Sequence, residues 1–315
     1  MKMNNRVYGI AGIKSCMANW NADFTGRPKA VSSGDIFGSD KAFKYPCKKM
    51  WQNEGERIMY IKTYKIGTKG KGEDAEKLQP KELKERYEEL FGYELNKKLP
   101  SDKVLRDLFS CMDVMNFGAT FAQEGQNISI TGAVQVGQGF NKYNNTVVEV
   151  QDILSPFRNS KKEDADASSL GSKVMVDEAH YVYPFSVNPD NYSDYVKLME
   201  GFEGYTREAY ERFKSACLVA ATAFNTNSKS GCENEFAIFI EFNEDSKAYL
   251  PPLDQYVEFV KGDTINRLDL TRLSELLKSV GDKIQAAEIF YNPFTFEKPE
   301  LQGVNYSAYS LFERA

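Results

Sequence analysis

Apolar and polar positions alternate over residues 6–17, RVYGIAGIKSCM, and predict a first β-strand. A similar alternation of apolar and basic residues over 57–65, RIMYIKTYK, predicts a second strand with one wet face. Between them run a polar loop, ANWNADFTGRPKAVSSGD, and the stretch GSDKAFKYPCKKMW, which reads as a helix capped by Ser39 or Asp40 and kinked or restarted at Pro46. Residues 67–82 are Gly-rich and charged and predict a mobile loop. Residues 81–115 predict helix, with Leu83, Tyr87, Leu90 and Phe91 on one face. In 116–150 β-branched and polar residues alternate between glycines, which predicts two strands and their turns. Residues 151–173 carry no period and predict a long loop, disordered or functional. Beyond them VMVDEAHYVYPFSV reads as a strand, 206–224 as a helix capped by Thr206, and EFAIFIEF (235–242) as a buried strand. Residues 270–280 predict a helix with Leu270, Leu273, Leu277 and Val280 inward, and 287–296 a last strand. Strands mixed with crossing helices and antiparallel neighbours predict a ferredoxin-like α+β core with insertions, in one domain spanning 1–315.

Composition changes this picture in two places. The chain has 315 residues, 42% of them hydrophobic, enough for a full core. Its N-terminus lacks a continuous apolar segment and no apolar run approaches the roughly 18 residues of a membrane span, so the expectation is a soluble, cytoplasmic protein with no membrane partner. Five cysteines (Cys16, Cys47, Cys111, Cys217, Cys232) form no C-x-x-C pair, which argues against a disulfide framework or zinc ribbon. The net charge is −5, yet residues 1–71 hold 14 Lys and Arg against 5 Asp and Glu, a balance of +9 that leaves −14 for the rest. A base-rich segment on an acidic body is the pattern of a local polyanion site, because a ligand feels mainly charges within about 8 Å.

Three motifs bear on chemistry. DEAH at 177–180 resembles the magnesium motif of an RNA helicase, but the chain has no G-x-x-x-x-G-K-[ST] loop to hold a triphosphate, and only about 135 residues follow it. His180 is the single histidine, so a Ser/His/Asp triad or a histidine-based metal site has little to build from, and His180 reads as structural. The loop NWNADFTGRPK (19–29) is more informative. Its asparagines can meet sugar hydroxyls and base edges, and Arg27 can grip a phosphate with two parallel bonds.

The order NxNxD, RPK, SDxxxK and K from Asn19 to Lys48, then FGAT (117–120), TGAVQVGQGF (131–140) and YVYPFSVNP (181–189), resembles the backbone subunit of type I CRISPR interference complexes. The likeness is to the seventh CRISPR-associated family in its I-B form, with I-C a close relative, and it runs over most of residues 5–245. That resemblance implies a modified RRM-like palm with inserted finger helices (67–115) and a thumb hairpin (152–178), and a non-enzymatic protein without cofactor or metal. It implies partners too: CRISPR RNA, target DNA through the guide, copies of itself in a helical filament, and other Cascade subunits in antiviral defence. RNA contacts then fall on Asn19, Asn21, Arg27 and Lys29 in the loop, and on Lys41, Lys44, Lys48 and Lys49 in the helix. Gln135 and Gln138 follow on the glycine-flanked strand, with Arg158, Lys161, Lys162 and Lys173 on the thumb. Asp23 stands where related type III subunits carry a catalytic aspartate, so a metal-dependent ribonuclease is the rival reading.

Overall fold

The computed structural model describes residues 1–68, 76–158 and 168–313, with side chains described throughout except at 155–158 and 168–170. The chain opens with β1 (Val7–Ala18), β2 (Phe37–Gly38) and α1 (Asp40–Asn53), followed by a hairpin of β3 (Tyr64–Gly67) and β4 (Lys77–Pro80). Three short helices, α2 (Leu83–Phe91), α3 (Ser101–Phe109) and α4 (Met112–Phe117), lead into a hairpin of β5 (Gly118–Gln123) and β6 (Gln126–Thr131). Next come β7 (Val134–Val136), β8 (Gly139–Asn141), β9 (Val148–Arg158) and the long β10 (Ser168–Val187). After α5 (Ser193–Leu198) and α6 (Arg207–Ala223), β11 (Cys232–Phe242), β12 (Glu258–Val260), β13 (Arg267–Asp269), α7 (Thr271–Lys278), β14 (Ile284–Tyr291) and β15 (Ser307–Ser310) complete the order.

Among the described residues the central sheet has 9 strands in the order β15-β14-β11-β1-β10-β8-β2, with β7 and β9 also laid along β10. Every pair in it is antiparallel except β14 with β15, so the sheet is mixed and the class is α+β. Both faces are covered. Val7, Ala11, Ala237 and Phe239 pack with α1, α6 and the helical insertion, while Ile10, Phe236, Ile238 and Ile240 pack with α7 and the segment around Leu253. This two-sided burial explains the unbroken apolar run of β11, because a strand wet on neither face has no polar side to alternate with. Each buried Val, Ile or Phe among them contributes roughly 1.5–3 kcal/mol of transfer free energy. Among the described residues no helix is long and apolar enough to cross a membrane.

The expected elements at β1, α6, β11 and α7 are present, as is the Ser39 cap, whose hydroxyl accepts the Ala42 N–H at 3.3 Å. Others differ. Residues 57–63 are not a strand, although Ile58, Met59 and Ile61 are buried; the Asp113 carboxylate takes the Met59 and Tyr60 N–H groups at 2.9 and 2.8 Å, leaving them unable to join a ladder. α1 continues through Pro46 as one helix, held by burial of Phe43, Pro46, Cys47, Met50 and Trp51. The helical stretch 81–115 is three helices, since Gly92 ends α2 in the left-handed region (φ 74°) and Pro100 precedes α3. The expected loop 67–82 includes strand β4, and its residues 69–75 lie outside the described residues. Two strands were expected in 116–150; β5, β6, β7, β8 and the start of β9 lie there. The loop expected over 151–173 is largely the paired strands β9 and β10, with 159–167 outside the described residues. Finally β14 stops at Tyr291, because Pro293 has no N–H to extend a ladder.

One glycine pair positions the site described next. Gly38 and Gly139 oppose each other where β2 meets β8, and a Cβ on Gly38 would land on the Tyr183 hydroxyl and 2.7 Å from the Trp20 ring. Tyr183 is fully buried and accepts the Trp20 indole N–H at 2.6 Å, so it has little room to retreat. Gly38→Ala is expected to destabilise the fold by about 1–3 kcal/mol through overpacking. Urea unfolding followed by tryptophan fluorescence measures this, and an unchanged midpoint would show that the slot is loose.

Candidate nucleic-acid interface

At Ala18 the chain leaves the sheet into a loop closed by two isolated bridges, Ala22 with Pro28 and Ala30 with Ile36. Its root is anchored internally. Asn19 is buried, and its amide donates to the carbonyls of Gly26 at 2.9 Å and Val174 at 3.2 Å. The Lys229 ammonium donates to the carbonyls of Asn19, at 2.7 Å, and Trp20; burial pushes that amine below its ordinary range. Asn21 accepts the Ser39 N–H at 2.8 Å, tying the loop to the start of α1. Asp23 turns inward on its own backbone: one carboxylate oxygen accepts from Thr25 N and Oγ1, both 2.7 Å, and from Arg27 N at 3.0 Å. The Thr25 hydroxyl first, then these backbone donors and the Arg27 charge, hold its carboxyl below the usual range. Asn19, Asn21 and Asp23 therefore shape the loop. Arg27 is exposed, Lys29 half-buried, and neither makes an ion pair among the described residues.

The lysines of α1 separate in the same way. Phe43, Cys47, Met50 and Trp51 face the core, and Lys41 in the first turn points to solvent. Lys44 pairs with Asp40 at 3.0 Å and lies 5.3 Å from the Phe117 ring centre. The Lys48 ammonium donates to the Tyr60 carbonyl at 2.7 Å, and burial pushes it below the ordinary lysine range. Lys49 donates to Gln52 at 2.9 Å. Of the four, Lys41 alone has no side-chain hydrogen bond or ion pair among the described residues.

Gln138 is exposed and precedes Gly139, which pairs with Gly38 beside the helix cap, so Gln138, Lys41 and the Asn21 end of the loop share one rim of the sheet. Lys173 is half-buried opposite Gln151 and next to Val174, whose carbonyl holds Asn19. Gln135 is exposed on β7, its amide donating to Gly132 O at 2.8 Å; it opposes Ser186, roughly 10 Å along β10 from the level of Tyr183. The Arg158 side chain, Lys161 and Lys162 lie outside the described residues. Lys229 and Tyr183, which fix the loop from elements more than 160 positions away, carry no signal in the sequence near residue 19.

The DEAH residues lie inside β10. Asp177 accepts the Val147 N–H at 2.7 Å, while His180 is buried with Nδ1 2.8 Å from Glu235 and Nε2 3.1 Å from Glu178, its ring stacked on Phe259. His180 is thus held inside the fold between two carboxylates and an aromatic ring. Four of the five cysteines are buried, Cys16 is exposed, and all are free thiols. Among the described residues no group of three or more His, Cys, Asp and Glu is arranged to hold a metal ion.

A protein-family model described as CRISPR-associated protein Cas7 matches residues 5–273. No curated protein matches the chain. Among solved structures, a chain of the "CRISPR RNA-guided surveillance complex, pre-nicking" is similar at 15% identity and a TM-score of 0.56, over 96% of this chain and 95% of that one. A chain of a "CRISPR RNA-guided surveillance complex" is similar at 15% identity and a TM-score of 0.49, over 96% and 94%. The first likeness shows a shared fold.

Proposed function

Because the chain belongs to the CRISPR-associated protein Cas7 family, we propose that it is the RNA-binding backbone subunit of a type I Cascade complex, of the I-B kind. It holds the phosphates of the CRISPR RNA, lines up with copies of itself along that strand, meets other Cascade subunits, and leaves base edges free to pair with target DNA. The observation that carries this reading is the family match over residues 5–273, which includes the loop carrying Arg27 and Lys29 and the start of α1 carrying Lys41. A single strand carries one charge per nucleotide, so a few unpaired cations on one rim suffice and the remaining surface can stay acidic. Sequence is then read by base pairing while the protein reads backbone and shape. In the same reading the body of the sheet is a modified RRM-like palm, 67–115 the finger insertion and 152–178 the thumb. The same reading assigns RNA contacts to Lys44, Lys49, Gln135, Gln138 and Lys173, and to Arg158, Lys161 and Lys162, whose side chains lie outside the described residues, with Asn19, Asn21 and Lys48 shaping the surface, in a cytoplasmic complex.

The chain holds its RNA without cutting it. A metal-dependent cut at Asp23 needs a carboxylate free beside the scissile phosphate, whereas the Oδ1 oxygen of Asp23 already accepts three hydrogen bonds within its own turn. Negative-stain images with CRISPR RNA are expected to show particles growing in length with guide length. With complementary RNA and Mg²⁺, wild type and Asp23→Ala are expected to leave the RNA equally intact. Dispersed particles in the presence of guide would sink the assembly reading, and products that vanish in Asp23→Ala would establish the nuclease.

A further inference from the structure

Phe24 is the most exposed large apolar side chain among the described residues, at 112% relative exposure. Neither the core nor the cation rim accounts for it. The ring stands at the tip of a turn stapled by Asp23: besides the three bonds to its Oδ1 oxygen, Asp23 N donates to Arg27 O at 2.7 Å and Gly26 N to Asp23 O at 3.2 Å. Gly26 supplies the left-handed residue (φ 83°) that lets so short a turn close, and the Ala22–Pro28 bridge seals its base. A ring that could bury 150–250 Å² is thus held in water on a pre-organised support. Its flank is cationic, with exposed Arg27 three positions on and Lys29 beyond, neither in an ion pair among the described residues. An apolar protein pocket would be poorly matched to such a rim. A single strand that offers π-faces between phosphates matches both features.

We propose that Phe24 is a base-stacking residue. Its ring takes the face of one unpaired nucleobase of the bound RNA, while Arg27 and Lys29 take the neighbouring phosphates. This rests on the RNA-binding reading and deepens it. Stacking uses the π-face alone, so it tolerates any base and leaves the Watson–Crick edge available.

The test measures binding of guide RNA, intact or with one abasic position moved along it, to wild type, Phe24→Ala and Phe24→Tyr. Phe24 is fully exposed among the described residues, so the variants are expected to keep the fold. Phe24→Ala is expected to weaken binding roughly tenfold at every salt concentration with an unchanged salt slope, and Phe24→Tyr to restore it. One abasic position is expected to weaken wild type by the same factor and Phe24→Ala no further. Phe24→Ala binding within twofold of wild type overturns the assignment, as does a loss that adds to the abasic loss at every position. An unchanged one-copy affinity with lost growth along RNA also overturns it, because the ring then seats on a second copy. Wild-type protein that ignores RNA altogether removes the RNA-binding reading itself, an outcome distinct from all of these.

Discussion

Replacing Arg27, Lys29 and Lys41 together by alanine is expected to lower affinity for CRISPR RNA about a hundredfold near 0.1 M salt, and to reduce the slope of log K against log salt by about 2. The figure follows from counterion release, where each phosphate neutralised on a single strand contributes roughly 0.7 to that slope. These three cations have no carboxylate partner among the described residues, so each can meet a phosphate without first breaking a bond. Lys44 and Lys48 are the internal comparison. Lys44 is paired with Asp40, and Lys48 donates to the Tyr60 carbonyl, so recruiting either to RNA sacrifices an existing interaction. Charge reversal at those two is therefore expected to change the slope less than the triple alanine variant does, and to lower stability more. A triple variant with the wild-type slope would remove the loop and first turn of α1 from the RNA surface. The loss should also be alike for guides of different sequence, since phosphates carry no sequence information.

How far the chain could be read in advance depended on where each segment's hydrogen bonds and apolar contacts lie. β11 and α6 announce themselves because one sheet strand buried on both faces, and one helix stripe of Ala209, Phe213, Ala216 and Cys217, are local patterns with local causes. Residues 57–63 misled because the groups that capture their N–H donors belong to Asp113, more than 50 positions away. Periodicity alone does not show the hairpin of β9 and β10, for the opposite reason. Val150, Ile153 and Leu154 are all exposed, so among its described side chains β9 has no buried face to impose a period of two.

The loop at 19–29 shows a subtler gap. Residue types pointed to a polar ligand site, but type does not reveal direction. Asn19 and Asn21 turn their amides onto Gly26, Val174 and Ser39 and make the loop's frame, which leaves Arg27 and Lys29 outside it. The same holds for α1, where the Asp40–Lys44 pair is legible from its i,i+4 spacing and the Lys48–Tyr60 bond is not. The charge asymmetry of the first 71 residues was a true signal of composition. It overcounted the cations left free for a ligand, since several are engaged within the fold.

His180→Ala is expected to destabilise the protein by about 3–5 kcal/mol near pH 6, the range for stranding one member of a buried charge pair. His180 and Glu235 are both buried and 2.8 Å apart, and Glu178, on the other ring nitrogen, is itself held by Lys261 at 2.6 Å. Lys14, across the strand pair from His180, is occupied by Glu233. An imidazolium donates to both carboxylates, whereas a neutral ring donates to one and turns a lone pair on the other. Burial opposes the charge, but the two carboxylates outweigh it and raise the His180 pKa above its ordinary value. A raised folded-state pKa gives stability that is fully present below the unfolded value of about 6.5 and is lost as pH climbs through the folded one. The gap between wild type and His180→Ala should therefore narrow as pH rises past that folded value. Pairing His180→Leu with Glu235→Leu should recover most of the loss, because an apolar pair strands no charge. Denaturant titrations from below the unfolded value of about 6.5 upward through the alkaline range decide the matter. A gap that stays constant with pH, or a double variant no more stable than the single one, would show that His180 acts through packing on Phe259 alone.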